Sequence, residues 1–289
     1  MACSADNAFS SRNWAVAHSK SLDLGPAGVL MGILNVTPDS FSDGAELASP
    51  EDAVSRARSM VADGAAILDI GGESTRPGAD PVDAETEQSR VLPAIAAIGE
   101  ALPDTILSVD TYRAATACAA VLAGAHIIND VWGLQREPDI AGVAAETGAG
   151  LCIMHTGRGR QKLADVIDDQ LAFFEASLAI ADKAGVRDEQ IVLDPGFGFA
   201  KDADENFALM ARIEALHALG FPILVGTSRK RFIGHATGRE IAADRDAGTA
   251  ATTALLRASG AAVFRVHDVA INHDALAIAD AMIAKRQGA

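Results

Sequence analysis

Short apolar runs alternate with longer helical patterns along most of the chain. The first run, residues 29–34, is too short for a helix and suits a strand that is buried on both faces. A polar segment follows it directly, and Pro38 and Gly44 mark turns there. In α/β proteins a buried strand that ends in such a loop commonly carries reactive groups.

This pattern recurs and predicts eight strands, each followed by a helix. Capping residues such as Ser49 before Pro50, and Asp83, mark helix starts. The predicted strands cover residues 29–34, 66–70, 106–110, 127–130, 151–154, 191–194, 223–226 and 263–266. The predicted helices cover residues 49–64, 83–102, 113–123, a segment opened by Pro138, 165–184, 203–219, 246–259 and 274–285.

Eight parallel strands with eight helices in a chain of 289 residues predict a single (β/α)8 TIM barrel. The alternative is a doubly wound open sheet, but the first loop lacks the GxGxxG turn that such sheets use for phosphates. Ahead of the barrel, alternation around Trp14, Val16 and His18 predicts a short hairpin. Residues 1–12 are predicted to be disordered and residues 13–289 to form one domain.

Composition and charge exclude several classes of partner. A net charge of −15 and a pI near 4.8 argue against nucleic-acid binding and against docking on anionic membranes, so an anionic substrate needs a local basic cluster. Cys3, Cys118 and Cys152 show no paired spacing, which favours a reduced, cytoplasmic setting. Residues 1–14 show no signal-peptide pattern, and no apolar run is long enough to cross a bilayer. We therefore expect neither a secretory signal peptide nor a membrane-spanning segment.

Polar side chains follow nearly every predicted strand, at the end where a TIM barrel carries its active site. Asp110, Asn129 and Asp194 stand at the tips of three strands. With Lys230 they would frame a flat heterocycle that presents donors and acceptors at its edge. Each residue alone is also explained by hydrogen bonding at the rim or by helix capping.

A second group of residues forms a candidate anion site. Its members are Arg265, His267, Asn35 and Arg76. In an acidic protein, an Arg-x-His sequence at a strand end indicates a phosphate or pyrophosphate site. The alternative is a structural pair, salt-bridged to Asp268 or Asp43.

Common catalytic signatures are missing from the sequence, which contains no GxSxG elbow, no HExxH and no paired His/Cys ligand spacing. A Schiff-base lysine stays open, because Arg229 and Arg231 beside Lys230 would lower its pKa. The pattern better suits a reaction driven by positioning, electrostatics and a good leaving group. A metal would be Mg²⁺ shared between Asn35 and substrate phosphates.

Taken together, the strand-end motifs resemble those of the dihydropteroate synthase family. The motifs are MGILNVTPDSFSDG at 31–44, GGESTRPG at 71–78, SVDT at 108–111, IINDV at 127–131, MH at 154–155, LDPGFGF at 193–199, SRKRFIG at 228–234 and RVHDV at 265–269. The resemblance runs from about Trp14 to the last helix.

The resemblance implies a transferase of folate biosynthesis. Its substrates would be 6-hydroxymethyl-7,8-dihydropterin pyrophosphate and p-aminobenzoate, its products 7,8-dihydropteroate and pyrophosphate, and its cofactor Mg²⁺. Sulfonamides would compete with p-aminobenzoate. A homodimer through the side formed by residues 246–259 and 274–285 is also implied, with neither nucleic acid nor membrane as a partner.

The resemblance also assigns site residues. The catalytic set is Asp110, Asp194, Lys230, Asn35, Arg265 and His267. The pterin site is Asp110, Asn129, Met154, Asp194 and Lys230. The pyrophosphate site is Asn35, Arg76, Arg265 and His267, with Asn35 also reaching the metal. The p-aminobenzoate site is Phe41, Asp43, Thr75, Arg76, Pro77, Phe199, Ser228 and Lys230. Residues 37–44 would form a lid that becomes ordered with substrate.

Two segments depart from the family pattern, and two other functions stay open. The sequence TGRGRQKL follows His155, and Ala200-Lys201 replaces the usual Gly-Lys. The first departure affects the shape of the loop, and the second matters if the position requires a positive φ. The alternative functions are a methyltransferase module that acts on methyltetrahydrofolate and a non-catalytic barrel that binds a pterin or a partner protein.

Overall fold

A computed structural model describes residues 8–37, 49–73 and 81–287. Within them the chain forms an antiparallel hairpin followed by alternating strands and helices. The strands are β1 Arg12–Val16, β2 Lys20–Leu24, β3 Val29–Asn35, β4 Ile67–Gly71, β5 Ile106–Asp110, β6 Ile127–Asp130, β7 Gly150–Met154, β8 Ile191–Asp194, β9 Leu224–Val225 and β10 Val263–Val266. The predicted strands are thus confirmed to within two residues at each end.

Helices follow the strands of the barrel. They are α1 Pro50–Ala62, α2 Ala84–Ala101, α3 Ala114–Leu122, α4 Asp139–Thr147, α5 Val166–Ala184, α6 Ala203–Ala211, α7 Arg231–Thr237, α8 Asp246–Ala258 and α9 Val269–Gln287. The predicted caps are present, since Ser49 accepts a hydrogen bond from the Asp52 N–H and Asp83 from the Thr86 N–H. In the described residues, no helix combines the length and the apolar character needed to span a membrane.

Strands β3–β10 form one parallel sheet in the order β8-β7-β6-β5-β4-β3-β10-β9. A parallel bridge between Leu193 and Ile223 joins β8 to the segment before β9. The sheet is thereby closed into the predicted (β/α)8 barrel, and the open-sheet alternative is wrong. Closure brings the carboxyl ends of all eight strands to one rim.

The hairpin β1–β2 covers the other end of the barrel. Trp14, Val16 and Leu24 are buried there against one apolar layer inside the barrel. The Trp14 indole N–H donates to the Gln190 carbonyl at 2.8 Å, which satisfies its one polar atom. The predicted hairpin is confirmed. The predicted division at residue 12 stays a prediction, because residues 1–7 lie outside the described part of the chain and β1 begins at Arg12.

The period of two along a strand separates an apolar layer inside the barrel from a polar layer above it. The apolar layer contains Met31, Ile67, Ile106, Ile127, Cys152, Val192, Leu224 and Val263. Two residues further along the chain stand Ile33, Asp69, Ser108, Asn129, Met154, Asp194, Gly226 and Arg265, of which five carry polar or charged side chains. The barrel is therefore apolar at its base and polar towards the rim.

Three predicted elements need correction. The last helix begins at Val269 rather than Asp274, because the Asp268 carboxylate accepts the Ile271 N–H at 3.2 Å and caps it. The predicted helix over 203–219 breaks at Arg212, which leaves helical geometry, and residues Ile213–Leu219 form a 3₁₀ helix. The loop predicted after β9 contains α7, a helix too short to produce a periodic pattern.

Candidate active site

The site lies at the rim, where three charged residues surround Gly226. A Cβ atom at Gly226 would lie 3.8 Å from an Asp194 carboxylate oxygen and 4.0 Å from Lys230 Nζ. It would also lie 3.8 Å from Arg265 Cβ. Three of the predicted site residues therefore converge on one space above β9. Any side chain larger than hydrogen at position 226 would reduce that space.

Arg265 is held between two carboxylates. Its Nε donates to Asp69 Oδ2 at 2.6 Å, and its Nη2 donates to Asp110 Oδ2 at 2.8 Å. Burial opposes the charge of Arg265, but the two carboxylates outweigh that cost and raise its pKa. Among the described residues its salt bridges are to these carboxylates and not to Asp268, which caps α9. The alternative partner Asp43 lies outside the described residues.

Asp110 and Asn129 lie on neighbouring strands β5 and β6, paired in register. Burial raises the pKa of Asp110 to about 7, Arg265 opposes this shift, and Asp69 adds to it. Asn129 donates from Nδ2 to Asp69 at 3.0 Å, while its Oδ1 is buried with no partner among the described residues. A buried amide oxygen without a partner is costly, which favours a ligand that donates to it.

Asp194 and Lys230 both lie beside Gly226 and interact electrostatically. Burial raises the pKa of Asp194, and Lys230 opposes the shift. Burial also lowers the pKa of Lys230 to about 7, against the attraction of Asp194 and with the help of Arg265. The Lys230 ammonium donates to the Phe197 carbonyl, so the loop after β8 positions it.

An apolar shelf borders these charges. Tyr112, Val131 and Met154 pack together, and the partly buried Trp132 and Phe199 contact them. The Phe199 ring lies 4.5 Å from Lys230 Nζ and 4.7 Å from Arg158 Cζ, both measured to its centroid. Met154 and Phe199 thus lie where the predicted pterin and p-aminobenzoate sites would need an apolar face.

Ser228 and His267 meet at the boundary of the predicted subsites. Ser228 Oγ lies 2.8 Å from His267 Nδ1 and accepts the His267 backbone N–H at 3.1 Å. Asn35 ends β3, and its Oδ1 would lie 3.3 Å from a Cβ at Gly71, beside Asp110. The roles assigned to these residues stay predictions.

Several predicted residues lie outside the described part of the chain. They are Phe41, Asp43, Thr75, Arg76 and Pro77. Residues 38–44 of the predicted lid, which covers residues 37–44, also lie outside the described part of the chain.

A buried polar network supports the floor of the site from the side of the atypical loop. His155 follows Met154 and is fully buried, with Nε2 3.0 Å from Asp169 Oδ2 and Nδ1 2.9 Å from Lys201 Nζ. Arg160 donates to the same Asp169 oxygen at 2.6 Å. The His155 N–H also donates to the Asp194 carbonyl at 2.8 Å. The departures from the family pattern therefore reach the backbone of a predicted catalytic residue.

His155 predicts a specific acid sensitivity. Burial, with Lys201 and Arg160, lowers its pKa from 6.5 to about 3. Below pH 6.5 the unfolded chain binds a proton at this histidine that the folded protein excludes. The free energy of unfolding therefore decreases as the pH is lowered from about 6.5 to about 3. The contribution approaches about 1.4 kcal/mol per pH unit. Urea unfolding between pH 7.5 and 4.5 should show this slope in wild type and a smaller one in His155→Gln. The exposed His235→Gln is the control, and equal slopes for wild type and His155→Gln would contradict the prediction.

Ala200 adopts the conformation that the family glycine would favour, with φ at 53°. Its carbonyl accepts a hydrogen bond from Lys162 at 2.8 Å, so the two atypical segments contact each other. The condition under which the departure at position 200 matters, a positive φ, is therefore fulfilled. The departure leaves a non-glycine residue in a strained backbone region.

Ala200→Gly should therefore stabilise the protein by about 1 kcal/mol, because relief of the left-handed strain exceeds the entropy lost to glycine. The control Ala208→Gly, on the exposed face of α6, should lower stability by about 1 kcal/mol. Chemical unfolding curves measure both changes. A loss of stability in Ala200→Gly equal to that of the control would contradict the argument.

Asp69 contacts Arg265 and Asn129 and is the residue of this cluster that the prediction from strand ends did not include. It stands two residues before the end of β4 and is fully buried. The prediction considered only the residues at and after strand ends. A charged residue inside an otherwise apolar strand was the available signal, because such a charge requires a partner inside the barrel.

Comparison with known proteins agrees with this geometry. A family model described as "Pterin binding enzyme" matches residues 31–267. The dihydropteroate synthase of Bacillus subtilis is 47% identical over 256 residues, which cover 88% of this chain and 89% of that protein. A Clostridium difficile dihydropteroate synthase solved with pteroic acid is 43% identical with a TM-score of 0.86, over 90% of this chain and 98% of the other. A Yersinia pestis dihydropteroate synthase solved with a sulfonamide drug is 38% identical with a TM-score of 0.86, over 93% and 98%.

Proposed function

The chain belongs to the dihydropteroate synthase family of pterin-binding enzymes, and we propose that its rim site joins a dihydropterin to p-aminobenzoate. The substrates are 6-hydroxymethyl-7,8-dihydropterin pyrophosphate and p-aminobenzoate. The products are 7,8-dihydropteroate and pyrophosphate, so the protein is a transferase of folate biosynthesis. The relatives are synthases, and they support this reaction rather than a methyltransferase or a non-catalytic barrel.

One observation carries the assignment of the site. Asp194, Lys230 and Arg265 surround Gly226, and Asn129 Oδ1, which has no partner among the described residues, belongs to the same polar layer. Carboxylate and amide oxygens accept hydrogen bonds from ring N–H and amino groups, and the lysine donates to a ring acceptor. A pterin edge presents both kinds of group.

In the first part of the reaction the C–O bond between the pterin methylene and the pyrophosphate breaks, and the pyrophosphate leaves with the electron pair. Positive charge then develops on the methylene and negative charge on the leaving group. Asp194 stabilises the first, and Arg265 with His267 stabilises the second. Because these groups are already fixed in the folded protein, little reorganisation is needed as charge develops.

In the second part the p-aminobenzoate nitrogen forms a bond to the methylene carbon and then loses a proton. An arylamine is already a nucleophile at neutral pH, so it needs orientation more than a strong base. Phe199 and Ser228 border the side from which it would approach. A Schiff base on Lys230 is unnecessary in this reaction.

Mg²⁺ is part of this proposal. The described residues contain no group of three His, Cys, Asp or Glu side chains that would hold a metal ion by themselves. One neutral oxygen such as Asn35 Oδ1 fits an ion that keeps its waters and arrives with substrate phosphates. The ion would neutralise charge on the leaving pyrophosphate. Pyrophosphate binding that is unaffected by removal of Mg²⁺ would contradict this role.

A homodimer and a cytoplasmic location complete the proposal. Ile271, Ile278 and Met282 are partly or largely exposed and share one face of α9 by their spacing, and Leu255 on α8 is also exposed. Monomers in sedimentation equilibrium at micromolar concentration would contradict a dimer.

Cys118 and Cys152 are free, in accord with a reducing compartment. Cell fractionation tests the location, and recovery outside the cytoplasm would contradict it.

Release of inorganic pyrophosphate tests the proposed function. Purified protein with both substrates and Mg²⁺ should release one pyrophosphate for each dihydropteroate formed. Omission of p-aminobenzoate should abolish dihydropteroate formation. Folded protein that forms no dihydropteroate in any of these mixtures would overturn the proposal.

Sulfonamides should inhibit this reaction in competition with p-aminobenzoate. Like p-aminobenzoate, the drug carries an arylamine and a negatively polarised group at the opposite end of the ring. It therefore occupies the same subsite. Initial rates at several p-aminobenzoate concentrations should show a raised KM with an unchanged maximal rate. Inhibition that excess p-aminobenzoate does not relieve would argue against a shared subsite.

A further inference from the structure

Asp69 belongs to the polar layer inside the barrel. It is fully buried on β4, between Ile67 in the apolar layer and Gly71 at the rim. Its register partner on β5 is Ser108, which is equally buried. An ionised carboxylate at such a place is costly unless partners compensate its charge.

The partners of Asp69 are two residues of the proposed site. Oδ2 accepts the Arg265 Nε–H at 2.6 Å and an Asn129 amide N–H at 3.0 Å. Oδ1 is buried and has no hydrogen-bond partner among the described residues. Asp69 therefore connects the residue assigned to the pyrophosphate with one assigned to the ring.

The contact with Asn129 determines which way its amide points. A carboxylate only accepts hydrogen bonds, so the Asn129 NH₂ group must face Asp69. Its Oδ1 then faces away from Asp69 and is the buried atom without a partner in the described part of the chain. With an amide at position 69, either orientation of Asn129 would find a partner.

The contact with Arg265 fixes its guanidinium. Nε bonds Asp69 and Nη2 bonds Asp110, so two separate carboxylates hold one planar group. A single carboxylate would leave the plane of Arg265 free to rotate about its side chain. Two of them define the direction in which its remaining N–H groups point.

We propose that Asp69 is a positioning residue of this transferase: it orients Asn129 as a hydrogen-bond acceptor towards the ring and holds Arg265 for the pyrophosphate. The inference rests on the proposed function and deepens it. By fixing Asn129 in this orientation, Asp69 makes the site prefer a ring that donates a hydrogen bond to Asn129 Oδ1. A 2-amino ring supplies such a donor, whereas its 2-oxo analogue presents an oxygen and repels an acceptor.

The test compares two ring ligands in four proteins. The ligands are 6-hydroxymethylpterin and its 2-oxo analogue, 6-hydroxymethyllumazine, with Kd measured by calorimetry. The proteins are wild type, Asp69→Asn, the double variant Asp69→Asn/Asn129→Asp, and Ser108→Ala. Ser108→Ala is the matched control, because it removes a polar group from the same layer and its hydroxyl has no partner among the described residues. Circular dichroism checks folding.

Asp69→Asn should reduce the preference for the pterin over the lumazine by about tenfold or more, since one buried hydrogen bond loses its fixed direction. The KM for p-aminobenzoate should change much less. The double variant exchanges amide and carboxylate, so an acceptor faces the ring again and much of the preference should return. That rescue tests the inference even if the single variant folds poorly. Ser108→Ala should behave as wild type.

Two results would overturn the inference. One is a wild-type ligand preference retained by folded Asp69→Asn. The other is a folded double variant whose preference for the pterin over the lumazine is no greater than that of the single variant. If the single variant does not fold, the contradicting result is a folded double variant that binds both ligands with equal Kd. Failure of the proposed function has a different signature, because wild-type protein would then form no dihydropteroate, whichever ring it binds.

Discussion

Lys230→Met is expected to lower kcat by about 10²–10³-fold while the protein stays folded. The ammonium lies within the space above Gly226, near Asp194, and the loop carbonyl of Phe197 holds it there. Methionine keeps the apolar stem that packs near Gly198 and Phe199 but removes the charge and all three donors. The loss therefore falls on ring binding and on the field at the reacting carbon rather than on packing.

Steady-state rates of dihydropteroate formation measure this effect, with Arg231→Met as the matched control. Arg231 is the next residue, begins α7 and is exposed, so its replacement removes a neighbouring positive charge outside the site. The control should stay within about threefold of wild type, since exposed charges contribute little. Full activity of Lys230→Met would rule out its role in the ring site.

Arg265→Lys is expected to lower kcat/KM for the pyrophosphate substrate by about 10- to 100-fold, with a much smaller change in KM for p-aminobenzoate. Lysine keeps one positive charge, but one ammonium cannot reproduce the two directed bonds to Asp69 and Asp110. Alanine is a poorer test, because it would leave two buried carboxylates without their cation at a cost of about 3–5 kcal/mol.

Arg257→Lys is the matched control for this prediction. Arg257 on α8 is likewise an ion-paired arginine and is fully buried, but it bonds Asp280 on α9 and the backbone carbonyl of Gly25, away from the rim. Its replacement should lower the midpoint of urea unfolding and leave both KM values close to wild type. If Arg265→Lys weakened both substrates equally, its assignment to the pyrophosphate would be wrong.

The barrel was predictable because its signals are local. Each strand is a short apolar run, and several helices begin at a capping side chain, as at Ser49 and Asp83, so these elements depend little on distant contacts. Reading the strand ends also brought Asp110, Asn129, Asp194 and Arg265 to one rim, since a closed parallel barrel allows no other arrangement.

The rest of the site depends on contacts between distant parts of the chain. Asp69 and Arg265 are almost 200 positions apart, and only the closed barrel brings them to 2.6 Å. The orientation of Asn129 follows from that contact and has no local signature. His155 and Lys201 likewise meet only because the loops after β7 and β8 pack together, as does the left-handed Ala200 with Lys162.

The most direct test of the account is a crystal structure of the protein with a non-hydrolysable analogue of 6-hydroxymethyl-7,8-dihydropterin pyrophosphate and Mg²⁺. The account predicts that Asp194 and Lys230 bond the same ring, that Asn129 Oδ1 accepts from it, and that Arg265 contacts the pyrophosphate while still bonded to Asp69. A ring bound away from Gly226, with Asp194 and Lys230 both outside hydrogen-bonding distance of it, would contradict the central claim.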